Sequence, residues 1–200
     1  IEDQNAVGTD DIKDGDTNAV EVSEFTTIKF RFKNEQNKYL VAATLRPETL
    51  FGLTNLWINP KEDYVNLKVG NEEWIVSKAA AEKLKYQKLT INAIEKVDVD
   101  DLIDKEVIAP ITNKKVQVLP ASFVDGSVGT GIVYSVPASA PFDFLGLRDL
   151  QRAGLYKSIR SVPIIKMDGY SDMPAKELSE RNDIQEQTEL ESTNNITKEI

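Results

Sequence analysis

Short stretches of alternating apolar and polar residues dominate the first two thirds of the chain. At residues 28–33, Ile and Phe alternate with Lys and Arg, which is the pattern of a strand with one buried face. Polar residues 34–37 predict a turn, and 39–43 is expected to return as the hairpin partner. Similar patterns predict further strands at 56–59, 64–69, 73–76, 91–97, 116–119, 131–136 and 162–166.

Three segments have the features of helices. Ser77 is a favourable N-cap for a helix over 78–86. Residues 142–153 carry apolar side chains at helical spacing, and Gly154 is placed to end that helix. A third helix is expected over 174–180, because it begins with a proline.

Many short strands, few helices and no regular strand–helix alternation predict an α+β domain. Its core is expected to be an antiparallel β-barrel-like sheet with several flanking helices. Residues 1–22 lack periodicity and are interpreted as a connector, and 23–184 as the domain itself. Residues 185–200 are interpreted as a charged C-terminal segment that leads elsewhere.

The composition narrows the possible chemistry. The 200 residues include no Cys and no His, so Ser–His and Cys–His nucleophile pairs cannot form within this chain. Zinc would have only carboxylate ligands. The acidic clusters at 10–16 and 98–104 do not match a calcium loop, because apolar Ile12 and Leu102 stand at positions where such a loop has an oxygen ligand. We therefore expect no metal site. The absence of Cys also fits a cytoplasmic protein.

The charge and hydropathy constrain the partners. With 24 basic and 33 acidic residues, the net charge is −9, which argues against a broad nucleic-acid footprint but not against contact with one strand end. The longest uncharged apolar runs are too short to cross a bilayer, so no membrane partner is expected.

Two polar junctions between apolar strands stand out as candidate pocket walls. In the first, Pro47 suits the first position of a helical turn. The amides of Glu48, Thr49 and Leu50 would then be unpaired donors able to hold an oxyanion, with the Thr44 hydroxyl nearby.

The second junction is residues 129–143. Gly129 and Gly131 permit close backbone approach, and a strand ends at Val136 before a proline. Asp143 stands at a predicted helix start. Its carboxylate either caps that helix or turns inward to receive a ligand's ammonium group.

Both junctions resemble the editing domain inserted into class I aminoacyl-tRNA synthetases, most closely the archaeal or eukaryotic type of leucyl-tRNA synthetase. The resemblance extends more loosely from about Asn5 to Ile184. The residues that carry it are Thr44 to Thr49, Gly52, Thr54, Asn55, Trp57, Asn59, Pro60, Gly129 to Gly131, Ser135 to Ala138, Ala140 to Asp143, Leu147, Asp149 and Leu150.

The resemblance implies hydrolysis of the ester of tRNA-Leu that carries a wrong amino acid, such as isoleucine or norvaline. Asp143 would bind the α-ammonium group, and Thr49 would narrow the pocket against leucine. Thr44 and Arg46 would position the attacking water and the terminal adenosine. The remaining implied substrate-binding residues are Glu48, Tyr134, Ser135, Val136 and Ser139.

The resemblance also implies partners. These are the 3′ end of aminoacylated tRNA-Leu and the synthetase body of the same chain, to which residues 185–200 would lead back. The domain is expected to be monomeric, cytoplasmic and free of cofactors. ATP and Mg would be used only by the parent ligase, so the fragment alone would not charge tRNA.

Two alternatives remain open. The family usually has a histidine where this chain has Ser139, and another expected near Thr9 to Asp11 is missing. A degenerate domain would keep the fold and tRNA-end binding with little hydrolysis. A valyl-type editing domain shares the Arg-Pro-Glu-Thr core, but Trp57 and the Ser135 to Ala138 stretch favour the leucyl type.

Overall fold

The alternation near the start of the domain becomes a β-hairpin. In the computed structural model, which describes residues 24–87 and 89–199, β1 (Thr26–Phe32) pairs antiparallel with β2 (Lys38–Thr44). Phe30 and Leu40 face each other in this pair and are fully buried. The predicted connector 1–22 lies outside the described residues.

The other strands follow the predicted patterns with two exceptions. The short strand β7 was not predicted. The predicted strand at 162–166 is wrong, since this segment forms no ladder. The strands are β3 (Leu56–Ile58), β4 (Tyr64–Val69), β5 (Glu72–Ser77), β6 (Ile91–Val97), β7 (Glu106–Ile108), β8 (Lys115–Pro120) and β9 (Val133–Tyr134).

The predicted α+β class is confirmed, but the antiparallel barrel is not. The nine strands have the order β6-β4-β5-β2-β1-β7-β8-β3-β9, with β6 and β9 as edges, so the sheet is open. The pairs β2–β5 and β3–β8 are parallel, which makes the sheet mixed. Local alternation predicts that a segment is a strand, but it does not reveal which distant strand becomes its neighbour.

The open sheet nevertheless curves until its edge strand β9 approaches β2. The Tyr134 hydroxyl lies 3.3 Å from Oγ1 of Thr44, and the rings of Tyr134 and Phe30 are 6.2 Å apart. A β-carbon on Gly129 would lie only 2.8 Å from that of Ala43. This curvature brings the two polar junctions together.

The described residues form four α-helices, and the three predicted ones are confirmed. The helices are α1 (Lys78–Leu84), α2 (Pro141–Arg152), α3 (Pro174–Arg181) and α4 (Leu190–Thr197). Helix α1 packs against β4 and β5, whereas α3 and α4 pack against α2. Oγ of Ser77 accepts from the Ala80 amide, as expected of an N-cap. Ile196 of α4 is buried with Leu145 and Leu178. Within residues 24–87 and 89–199, no helix is both long and apolar enough to span a bilayer.

Candidate functional site

The first junction is a short 3-10 helix, Pro47–Gly52, that connects β2 to β3. Pro47 occupies its first position, where a missing amide hydrogen costs nothing. The Thr49 amide donates to the Arg46 carbonyl at 3.1 Å. The prediction of a row of unpaired amides is therefore wrong for Thr49, because the 3-10 turn closes one residue earlier than an α-helical turn would.

Hydroxyl groups converge on the Arg46 carbonyl. Oγ1 of Thr49 lies 2.7 Å from it, and the Tyr134 hydroxyl lies 2.8 Å from it. These two hydroxyls are 2.7 Å apart, and Oγ1 of Thr44 accepts from the Arg46 amide at 3.0 Å. Each hydroxyl has one proton to share among several acceptors. The network fixes the side chain of Thr49 at the pocket wall.

The second junction places Asp143 in the first turn of α2. Its Oδ2 accepts from the Val136 amide at 2.7 Å, and its Oδ1 accepts from the Trp57 indole Nε1 at 2.9 Å. No side chain caps α2, whose N-cap residue is Ala140. The sequence left two alternatives for this carboxylate, a helix cap or an inward-facing group. The structure shows the second: the carboxylate points away from its own helix start and into the domain.

Burial changes the acidity of Asp143. The residue is 4% exposed, and this loss of solvation raises the pKa of its carboxyl from 3.8 to about 7, although the two hydrogen bonds act in the opposite direction. An ammonium ion placed against this group would favour its ionised form. The site can therefore bind an amine more tightly once the pH exceeds about 7.

Both junctions line one pocket of about 550 Å³. Its apolar walls include Phe25, Phe123, Val128 and Ile132. A polar floor among apolar walls suits a small ligand with one charged end. The predicted site residues that the pocket brings together are Thr44, Arg46, Thr49, Tyr134, Val136, Ser139 and Asp143.

Two predicted residues lie elsewhere. Glu48 is exposed and lines an adjoining groove of about 520 Å³, together with Phe51, Ile164 and Ile165. Ser135 is fully buried behind the pocket wall, where its amide donates to the Asn55 carbonyl at 2.8 Å.

Sequence reasoning did not identify Trp57 as the partner of Asp143. Trp57 is fully buried in β3, and its ring contacts that of Phe123 edge-on with 5.8 Å between centroids. A buried indole N–H almost always finds an acceptor. The sequence could therefore have indicated that a buried Trp57 needs an acceptor, but only the fold shows which acceptor is within reach.

Comparisons with known proteins agree with the resemblance noted in the sequence. The family model described as leucyl-tRNA synthetase, editing domain, matches residues 18–195. The leucine–tRNA ligase of Methanothermobacter thermautotrophicus is 43% identical over 194 residues, covering 92% of this chain and 20% of the ligase. That of Pyrococcus abyssi is 41% identical, covering 97% of this chain and 22% of the ligase. The chain thus spans about a fifth of the length of these curated relatives.

Solved structures agree on the fold. The crystal structure of GlLeuRS-CP1 matches with a TM-score of 0.75 at 27% identity, covering 88% of this chain and 82% of that one. The P. falciparum cytosolic leucyl-tRNA synthetase editing domain matches with a TM-score of 0.77 at 17% identity, covering 88% of this chain and 85% of that one. The predicted resemblance is confirmed: the chain belongs to the leucyl-tRNA synthetase editing-domain family.

Proposed function

We propose that this chain is the proofreading domain of a leucine–tRNA ligase. It hydrolyses the ester of tRNA-Leu that carries isoleucine, norvaline or a similar wrong amino acid. The observation that supports this is the single pocket that contains both the buried carboxylate of Asp143 and the tightly held hydroxyl of Thr49.

Asp143 recognises the α-ammonium group of the bound amino acid. An ionised carboxylate has about four acceptor sites, and the protein uses two of them. The others remain for the ammonium protons. Hydrogen bonds to charged groups contribute about 1.5–3 kcal/mol, enough to orient the ester in the pocket.

Thr49 limits which side chains can enter. Its hydroxyl is held by the Arg46 carbonyl and the Tyr134 hydroxyl, both at 2.7 Å, so its methyl group cannot easily rotate away. One methylene changes binding in an apolar pocket by roughly 1–3 kcal/mol, a range for which synthetases are themselves a standard example. This small difference in binding free energy lets the synthetic site attach some wrong amino acids to tRNA. A separate editing site that excludes leucine by its shape can hydrolyse those products without attacking the correct one.

The hydrolytic step needs positioning rather than a strong base. Water attacks the ester carbonyl carbon, the bond to the ribose oxygen breaks, and that oxygen takes up a proton. Thr44 and Arg46 position the water and the terminal adenosine, with a ribose hydroxyl assisting. No cofactor takes part; ATP and Mg serve the synthetic site of the parent ligase. The domain's partners are the 3′ end of tRNA-Leu and the rest of the ligase.

The test is deacylation of isoleucyl-tRNA-Leu by the isolated chain. Wild type is expected to release isoleucine faster than the spontaneous rate, and Asp143→Asn should reduce that rate by roughly 100-fold, the equivalent of about 3 kcal/mol. Asp172→Asn removes an equal charge from an exposed residue outside the pocket and should change nothing.

Two other results would reject parts of the proposal. If neither the chain nor the full-length ligase exceeds the spontaneous rate, the degenerate alternative suggested by Ser139 is correct. If threonyl-tRNA-Val is preferred over isoleucyl-tRNA-Leu, the assigned substrate is wrong.

A further inference from the structure

A second groove, outside the pocket, lies between α2 and the segment that follows it. Its volume is about 450 Å³. Phe144, Leu147 and Ile159 provide apolar walls, and three cationic residues, Arg148, Lys157 and Arg160, line the same space. We refer to these six residues as the cationic groove.

The cations of this groove have no acidic partner. Within residues 24–87 and 89–199, no carboxylate oxygen lies within 4.0 Å of the charged nitrogens of Arg148, Lys157 or Arg160. The carboxylates of Asp149, Glu180 and Glu189 act on Arg148 only from longer range. Three cations without an acidic partner in one groove are unusual for a chain whose net charge is −9, because acidic residues are abundant. The Arg160 guanidinium donates to the backbone carbonyls of Lys157 and Ile159 instead.

Arg148 is held in place by a hydrogen bond and by an aromatic contact. Its Nη2 donates to the Ile184 carbonyl at 2.7 Å, and its guanidinium lies 5.3 Å from the centroid of the Phe144 ring. Its Nε is buried and has no hydrogen-bond partner among the described residues. A rigid guanidinium beside an aromatic face is a common recognition element for phosphate next to a base.

The cationic groove is connected to the pocket by one short segment. Ser161 lines the cationic groove, while Ile164 and Ile165 line the adjoining groove that shares Arg46 and Ser139 with the pocket. The segment is held against the 3-10 helix, since a β-carbon on Gly52 would lie 3.1 Å from the Ile164 side chain. Ser161 and Ile164 are three residues apart, so their α-carbons are separated by at most about 11 Å, roughly the length of three stacked nucleotides.

We propose that the cationic groove binds the backbone phosphates of the unpaired nucleotides that precede the 3′-terminal adenosine of tRNA. This inference rests on the proposed function, because that function places the terminal adenosine in the pocket. Lys157 and Arg160 neutralise the phosphates.

Binding of a labelled RNA hairpin with four unpaired 3′ nucleotides tests the proposal. The double variant Lys157→Gln, Arg160→Gln should bind roughly tenfold more weakly at low salt. It should also make the negative slope of log affinity against log salt shallower by about 1.4, because each lost single-strand phosphate contact removes about 0.7 from the slope. Lys85→Gln, Lys96→Gln removes the same charge from exposed residues outside all three lined spaces and should leave both quantities near wild type.

Further measurements separate failure of this groove from failure of the proposed function. Hydrolysis of isoleucyl-adenosine, which has no phosphate, should be unchanged in the groove variant. If neither the wild-type chain nor the full-length ligase deacylates isoleucyl-tRNA-Leu, the proposed function fails, while the RNA measurement still decides the groove.

Unchanged RNA affinity in the groove variant would overturn the inference. The inference would also be overturned if the groove variant lost as much affinity for a hairpin without unpaired nucleotides, because that result would indicate duplex binding. If the variant instead loses affinity for the separately purified synthetase body, the groove is a protein interface.

Discussion

The indole Nε1 of Trp57 donates a 2.9 Å hydrogen bond to Oδ1 of Asp143, across 86 residues of sequence. The other carboxylate oxygen accepts from the Val136 amide. Trp57 belongs to β3, just after the first junction, and Asp143 belongs to the second. This contact therefore fixes the orientation of the one buried acidic group in the described pocket.

The raised pKa of Asp143 predicts a specific pH dependence of stability. Its folded pKa of about 7 exceeds the ordinary 3.8, so its contribution to the free energy of unfolding is full below about pH 4 and is lost as the pH rises through 7. A shift of about three pKa units corresponds to at most roughly 4 kcal/mol of the free energy of unfolding.

Asp143→Asn should abolish this dependence. Urea unfolding at pH 4, 6 and 8 should show wild type losing stability relative to the variant as the pH rises. The variant also leaves one buried donor without an acceptor, at a cost of roughly 1–3 kcal/mol that is independent of pH. A constant difference between the two proteins would contradict the buried, protonatable state.

Trp57→Phe should shift the pH profile of deacylation. The indole bond lowers the pKa of Asp143, so its loss raises that pKa and moves the acidic limb of kcat/KM to higher pH. Trp74→Phe is the matched control, because the Trp74 indole donates to Glu72 outside the pocket. If activity falls in Trp57→Phe without a shift of the limb, Trp57 acts through packing alone.

Three substitutions of Thr49 separate its methyl group from its hydroxyl. Thr49→Ala removes both and should allow hydrolysis of leucyl-tRNA-Leu, because the pocket widens where leucine is excluded. Thr49→Ser keeps the hydroxyl bonded to Arg46 and should show the same relaxed specificity if the methyl group is the barrier. Thr49→Val keeps the bulk and should still reject leucine. The measurement is the ratio of leucine to isoleucine release.

Gly131→Ala should destabilise the domain by roughly 2–5 kcal/mol. Its φ is +69°, and a β-carbon there would lie 2.4 Å from that of Ser77, which is buried. Gly70→Ala is the control, because its φ is +59° but no atom lies within 4 Å of the added carbon. The control should lose about 1–2 kcal/mol from backbone strain only. Equal urea midpoints for the two variants would mean that the Ser77 contact relaxes without cost.

Most elements were predictable because their patterns are local. The N-cap of Ser77 and the proline that begins α3 depend on neighbouring residues, and both are present in the structure. The two parallel strand pairs were not predictable, because each joins segments separated by long stretches of chain. The segment 162–166 has a strand's composition but packs beside Gly52 without a ladder partner.

Local sequence patterns located most of the strands and the helices α1, α2 and α3, excluded thiol and imidazole chemistry, and marked the two junctions. Short-range periodicity, capping and backbone restriction are sufficient for that. Three features became apparent only in the fold: Asp143 points inward to Trp57, Ser135 lies behind the pocket wall, and Glu48 faces a neighbouring groove. These outcomes depend on sheet curvature and on burial, which are set by packing between residues far apart in the chain.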